Sequence, residues 1–359
     1  MDLRLIEHER PVAEAGRRRA QARGRADRLL ALRAAAGNRA FARLVQREPD
    51  WLADRLKAGA LGTTAGKRTI ELRYFAGKSK RRALVIGGVH GTERQGVQVA
   101  RLLEKDLASS PADFCVLLVP VLFPDNAAKD TYGTREGATP TNRNFPAPDK
   151  DLAASGGKDA QGRDILPENR LLMELMERYK PERVISLHGT WNSALAGVFY
   201  DTRKLTADEQ SAAKDDAARK EKLTAVDAAD KDLSLRAAKL IDAQTAGLKG
   251  REARGLGAGA ATKDQKRGRG RHGSVAGNVG TSGDVDTGFW GGDVPGGTSL
   301  GGYASGRGIS IFTVEPPVNR NIADYGPGGD TAGDKVSQAD RQTELQAYAD
   351  AVRTVLLAQ

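Results

Sequence analysis

The sequence predicts an α/β protein built on a central mixed, largely parallel β-sheet with helices on both faces. Three observations carry that prediction. Short apolar runs recur along the 359-residue chain. Amphipathic stretches with helical spacing lie between them. Polar residues able to do chemistry stand directly after several of the runs, where the active sites of open α/β sheets lie.

The strands are justified first. Thr69 to Phe75 (TIELRYF) alternates apolar and polar residues, as a half-buried strand does. Ala83 to Val89 (ALVIGGV) and Phe114 to Leu122 (FCVLLVPVL) are continuous apolar runs, the pattern of strands covered on both faces. Arg183 to Leu187 (RVISL) and Ile309 to Val314 (ISIFTV) are shorter examples. Between them, Gln95 to Asp106 carries apolar residues at Val97, Val99, Leu102 and Leu103. Glu168 to Tyr179 carries Leu171, Leu172, Leu175 and Met176, with Pro167 placed for a first helical turn. Ser337 to Leu357 closes the chain as a further helix. Alternating strands and helices give a mainly parallel sheet.

Residues 1–48 are read as a basic Ala/Arg-rich arm, and 50–359 as one catalytic domain. Within that domain, 203–275 is an insertion. Its first part is rich in helix formers without an extended apolar face, and fits one helix or a pair. Its end (QKRGRGRH, 265–272) is a Gly-spaced basic loop.

Composition excludes several function classes. The net charge is +10, but residues 1–48 alone hold 12 Arg, no Lys and six acids. The remaining chain is nearly balanced and has no electrostatic footprint for nucleic acid. Phe114 to Phe123, ten residues, is the longest nearly apolar run. It is about half of what a membrane-spanning helix needs. The start, MDLRLIEHER, lacks the apolar stretch of a secretory signal, so a cytoplasmic chain is expected. The one cysteine, Cys115, excludes an intrachain disulfide framework and lies in an apolar run, as a buried thiol would.

The chemistry concentrates at strand ends. Of four histidines, His90 follows ALVIGGV and His188 follows RVISL. Glu93 stands three residues after His90, in the turn His90-Gly91-Thr92-Glu93. Each histidine alone is also readable as a hydrogen-bonded structural residue. Together, two imidazoles and one carboxylate make the protein half of a catalytic zinc site, with a fourth position left for water. A second cluster is Asn142-Arg143 within TNRNFP. A guanidinium fork beside an amide suits a carboxylate ligand. Glu315, directly after FTV, is an acid at the end of an apolar strand. It is placed as a general base for water activation.

The order GGVHGTERQG, NRNFP, SLHG and FTVEPP resembles the zinc carboxypeptidase family, the carboxypeptidase A-like metallopeptidases or funnelins, over roughly residues 60–357. The resemblance implies zinc held by His90, Glu93 and His188. It implies a clamp for the substrate's terminal carboxylate at Asn142 and Arg143, and Glu315 as the proton-transferring base. Arg135, eight residues before Arg143, matches the arginine that polarises the scissile carbonyl, across a shorter gap than usual. Phe123-Pro124-Asp125-Asn126 is similar to the family's NPDG turn. Tyr303, twelve residues before Glu315, stands in for the capping tyrosine, which the family places further upstream. The implied substrate is a peptide or a cell-wall peptide. The competing readings are a deacylase or amidase of the aspartoacylase and succinylglutamate desuccinylase type, which shares the ligand set, and a non-catalytic binding module.

The arm has a resemblance of its own. Leu32 to Arg47 (LRAAAGNRAFARLVQR) is similar to stretches preceding cargo proteins of bacterial contractile injection particles. That implies a loading partner and delivery out of the cell. The same composition also fits a plain basic helix or arm.

Overall fold

Four parallel strands form the centre of the main sheet, and the carboxyl ends of three of them lead to His90, His188 and Glu315. The computed structural model describes residues 51–129, 139–147, 150–189, 196–201, 217–246, 248, 280–281, 298–317 and 337–358, with only the backbone of 217–227 and 280–281. The chain divides into two units, Met1–Ala53 and Asp54–Gln359. Helix α1 (Trp51–Ala58) spans that boundary.

Strands β1 (Ala60–Thr63) and β2 (Thr69–Glu71) form a small antiparallel sheet. The main sheet has seven strands among the described residues. They are β3 (Arg73–Phe75), β4 (Arg82–Gly87), β5 (Cys115–Val119), β6 (Arg183–Leu187), β7 (Gly197–Tyr200), β8 (Gly280–Thr281) and β9 (Ser310–Glu315). Their order is β3-β5-β4-β6-β9-β7-β8. Strands β5, β4, β6 and β9 run parallel to one another, while β3 and β7 pair antiparallel with their inner neighbours. The alternating TIELRYF segment is therefore two strands. It breaks at Leu72, where the chain leaves the small sheet for the edge of the large one.

The helices are α2 (Arg94–Ser109), α3 (Pro124–Lys129), α4 (Pro167–Tyr179), α5 (Ala217–Thr245), α6 (Leu300–Ser305) and α7 (Gln338–Ala351), the last continuing as a π turn over Val352–Leu356. Pro167 takes the first-turn position of α4, and the Ser337 hydroxyl caps α7 by accepting from the Asp340 amide. One face of the sheet (Ala83, Val85, Val116, Leu118, Ile185, Leu187, Phe312, Val314) packs on Val99 and Leu103 of α2, Tyr348 of α7 and Leu356. The alternate residues Leu84, Ile86, Leu117, Val119, Val184 and Ile311 are also buried. Each such side chain taken from water contributes roughly 1.5–3 kcal/mol, which is why the central runs read as continuously apolar.

The insertion is more than a surface addition. Leu233, Ala237 and Ile241 of α5 belong to the main core, and Ser234, Ala238 and Thr245 are buried with them. The stripe has helical spacing, but alanine and hydroxyl residues fill much of it, so it showed no extended apolar face. Among the described residues, no helix is long and apolar enough to cross a membrane.

Two glycines set the turn that leaves β4. Gly88 has φ +61°, a conformation that costs other residues free energy. A side chain on Gly96 would meet the carbonyl oxygens of Leu187 and His188 at 2.4 and 2.5 Å, so the start of α2 lies directly against the exit of β6. Gly96→Ala is expected to push the two apart and cost about 1–3 kcal/mol of stability. Denaturant unfolding of the variant against the parent chain measures this.

Candidate active site

The site is assembled from the exits of β4, β6 and β9. The backbone turns at once after β4, the Glu93 amide donating to the His90 carbonyl at 3.4 Å. Glu93 is the residue that caps α2, yet its side chain makes no capping hydrogen bond. Its carboxylate instead faces both imidazoles. Oε1 lies 2.8 Å from His90 Nδ1, and Oε2 lies 2.8 Å from His188 Nδ1. The two rings stand 5.0 Å apart between centroids, tilted by 57°. Burial by itself raises the Glu93 carboxyl. The neighbouring His90 and His188 outweigh it and hold the group well below the ordinary carboxylate range.

Among the described residues, His90, Glu93 and His188 bring one ligand atom each within 4.8 Å of one another. Two nitrogens and a carboxylate oxygen are the donor set of a three-ligand catalytic zinc centre. Glu93 and His188 are buried, and His90 is slightly more open, with 11% of its side chain exposed. The residues fit zinc in number, type and convergence.

Glu315 is the last residue of β9 and is buried. Leu187 of β6 pairs with Val314 of β9, and the His188 amide donates to the Val314 carbonyl at 2.9 Å. His188 and Glu315 thus leave neighbouring strands at the same level. In a parallel pair, residues at matching positions share a face.

Asn142 and Arg143 sit on a single 3₁₀ turn, Thr141–Arg143. The Thr141 hydroxyl donates to the carbonyl of Val89, the residue before His90, at 2.9 Å. That bond ties the turn to the histidine turn. Asn142 Oδ1 accepts from the Leu300 amide at 2.9 Å, and Arg143 Nη1 donates to the Asn142 carbonyl at 2.6 Å. Tyr303 lies inside α6 with no exposed surface. Its ring stacks near Phe145 at 5.5 Å and beneath the Arg307 guanidinium, and its hydroxyl donates to Glu177 at 3.2 Å. It is packed as a core residue. Asp125, of the NPDG-like turn, accepts from the Gly66 amide and from Arg68. Arg135 lies outside the described residues.

Sequence reasoning missed the residues that hold the Thr141–Phe145 loop. Asn144, Asp159, Arg163 and Asn169 bond to one another or to its backbone. Only Asn144 belonged to a recognisable motif, because loop-to-loop hydrogen bonds leave no periodic trace.

No protein-family model matches the chain, and no curated protein matches it in sequence. Among solved structures it is similar to the murein-tripeptide amidase MpaA of Escherichia coli O157, at 15% identity over 82% of this chain and 90% of that one, with a TM-score of 0.40. Carboxypeptidase A of Helicoverpa armigera is similar at 12% identity over 88% of this chain and 71% of that one, with a TM-score of 0.47. A metallo-carboxypeptidase of Pseudomonas aeruginosa is similar at 16% identity over 88% of this chain and 68% of that one, with a TM-score of 0.41.

Chelation should lower the thermal midpoint of the purified chain, because ion binding to the native trio stabilises the folded state. Adding back about one equivalent of zinc should restore it. Differential scanning calorimetry with metal analysis reads both. An unchanged midpoint with no zinc bound would remove the metal assignment.

Proposed function

We propose that the chain is a zinc-dependent hydrolase of the carboxypeptidase type, cleaving the last peptide bond of a peptide or cell-wall peptide that ends in a free carboxylate. One observation carries the reading. The His90–Glu93–His188 trio converges at the exits of two central strands, with Glu315 beside His188 on the next.

Zinc at the trio supplies Lewis acidity, lowering the pKa of water and polarising a carbonyl. The chain's own residues do the rest. The Glu315 carboxylate takes a proton from the attacking water and delivers it to the leaving amine nitrogen. The Arg143 guanidinium pairs with the terminal carboxylate of the substrate. Asn142, whose oxygen is occupied by the Leu300 amide, offers its Nδ2 donor to the same group. Arg135 is assigned to the carbonyl oxygen on the motif resemblance, where added positive charge stabilises the developing oxyanion. Residues 1–48 are assigned as an address segment for loading into an injection particle.

Glu315→Gln should lower kcat by about 10²–10⁴ while leaving the zinc content unchanged. Full residual activity would remove Glu315 as the base. Arg143→Ala deletes a charge-assisted contact of about 1.5–3 kcal/mol, so KM for free-acid peptides should rise roughly ten- to hundredfold. Equal losses on the matching C-terminal amides would contradict the clamp. Release of an acyl group from N-acyl amino acids, with every peptide left intact, would assign the site to a deacylase.

A further inference from the structure

Asn142 and Arg143 share one short turn, in which Asn142 has φ −94° and ψ 29°, outside helical geometry. A turn of that length has no ladder of its own hydrogen bonds and little intrinsic stability. A clamp is useful only if its donors are held in one geometry before the ligand arrives. The hold comes from the segment that follows. Asp159 lies in a loop, yet its side chain is fully buried. Its Oδ1 accepts from the amides of Gln161 and Arg163, both at 2.9 Å. Its Oδ2 accepts from Asn144 Nδ2 at 2.9 Å and from Arg163 Nε at 2.7 Å. The other arm of the same guanidinium, Nη2, donates to the Arg143 carbonyl at 2.7 Å. Arg163 is therefore a rigid fork with one prong on a buried acid and the other on the clamp backbone. Asn144 is fixed further by donating to the Asp164 carbonyl and accepting from the Leu166 amide. Asn169 donates to the carbonyls of Thr141 and Asn144.

A buried carboxylate is a costly way to stabilise a loop. Here two of its four contacts close its own loop, and the other two hold Asn144, next to the clamp, and the Arg163 guanidinium that bonds the clamp backbone. We infer that Asp159 and Arg163 are positioning residues for carboxylate recognition: Asp159 orients the Arg163 guanidinium, which holds the Arg143 carbonyl and so presents Asn142 and Arg143 together. The inference rests on the reading of those two residues as the clamp.

The test uses the full-length, zinc-loaded chain carrying Glu315→Gln, and measures binding rather than turnover. Calorimetry compares a panel of N-benzoyl dipeptides with their C-terminal amides. Introducing Arg163→Lys keeps the positive charge, but lysine cannot reach Asp159 and the Arg143 carbonyl as a fork. Kd for the free acids should rise about tenfold, with amide binding and zinc content unchanged. Asp159→Asn should shift the acid-to-amide ratio in the same direction, and carries the test if Arg163→Lys does not fold. An unchanged ratio, or equal weakening for acids and amides, would overturn the positioning role. If the parent protein with Arg163 intact shows no preference for free acids, the clamp reading itself has failed, and the inference with it.

Discussion

A single carboxylate organises this molecule. Glu93 is buried and held at 2.8 Å from two imidazoles that follow different strands. Water is largely excluded from it, so its charge has to be met by groups placed within contact. That requirement constrains everything around it. Strands β4 and β6 must be adjacent and parallel. The chain must turn within three residues of β4, and α2 must begin at Arg94 with its first turn pressed on the end of β6. Gly88 and Gly96 serve those last two demands, one by its left-handed backbone and the other by the room that it leaves.

The site divides into two parts with different mechanical support. His90, His188 and Glu315 stand at or just beyond the ends of sheet strands, and Glu93 stands at the start of α2. Ladder hydrogen bonds and a core packed on both faces hold their positions. Asn142 and Arg143 have no such foundation. They depend on side-chain hydrogen bonds from Thr141, Asn144, Arg163 and Asn169, spread over almost thirty residues of chain. The Asn142–Arg143 turn is therefore the more easily altered half, since a single loop substitution reaches it without disturbing the sheet.

Much of the fold was legible because burial on both faces writes itself into sequence as unbroken apolar runs. RVISL matched its strand residue for residue, and Pro167 and Ser337 marked the helix starts. The TIELRYF segment misled because alternation reports burial and not partnership. It cannot reveal that Leu72 passes between two sheets. Helix α5 hid its core face behind alanine, serine and threonine. The convergence of the trio was legible because two histidines and a carboxylate stood together at strand exits, where a histidine alone also reads as a structural residue. The spacing of Tyr303 from Glu315 says nothing about which way a helical side chain points; in the structure its hydroxyl donates to Glu177. The network around Asp159 had no sequence signature, because its members share neither a period nor a motif.

Parallel pairing of β6 with β9 has a consequence for when the candidate site comes together. The alternation of a strand means that a slip of one residue would send Val314, not Glu315, to the level of His188, and turn the acid to the opposite face. The ligand trio also joins residues 95 positions apart. A partly assembled or misregistered chain therefore holds neither the converged trio nor Glu315 at its level. The topology therefore makes the convergence of the trio and Glu315 contingent on the correct docking of β6 against β9.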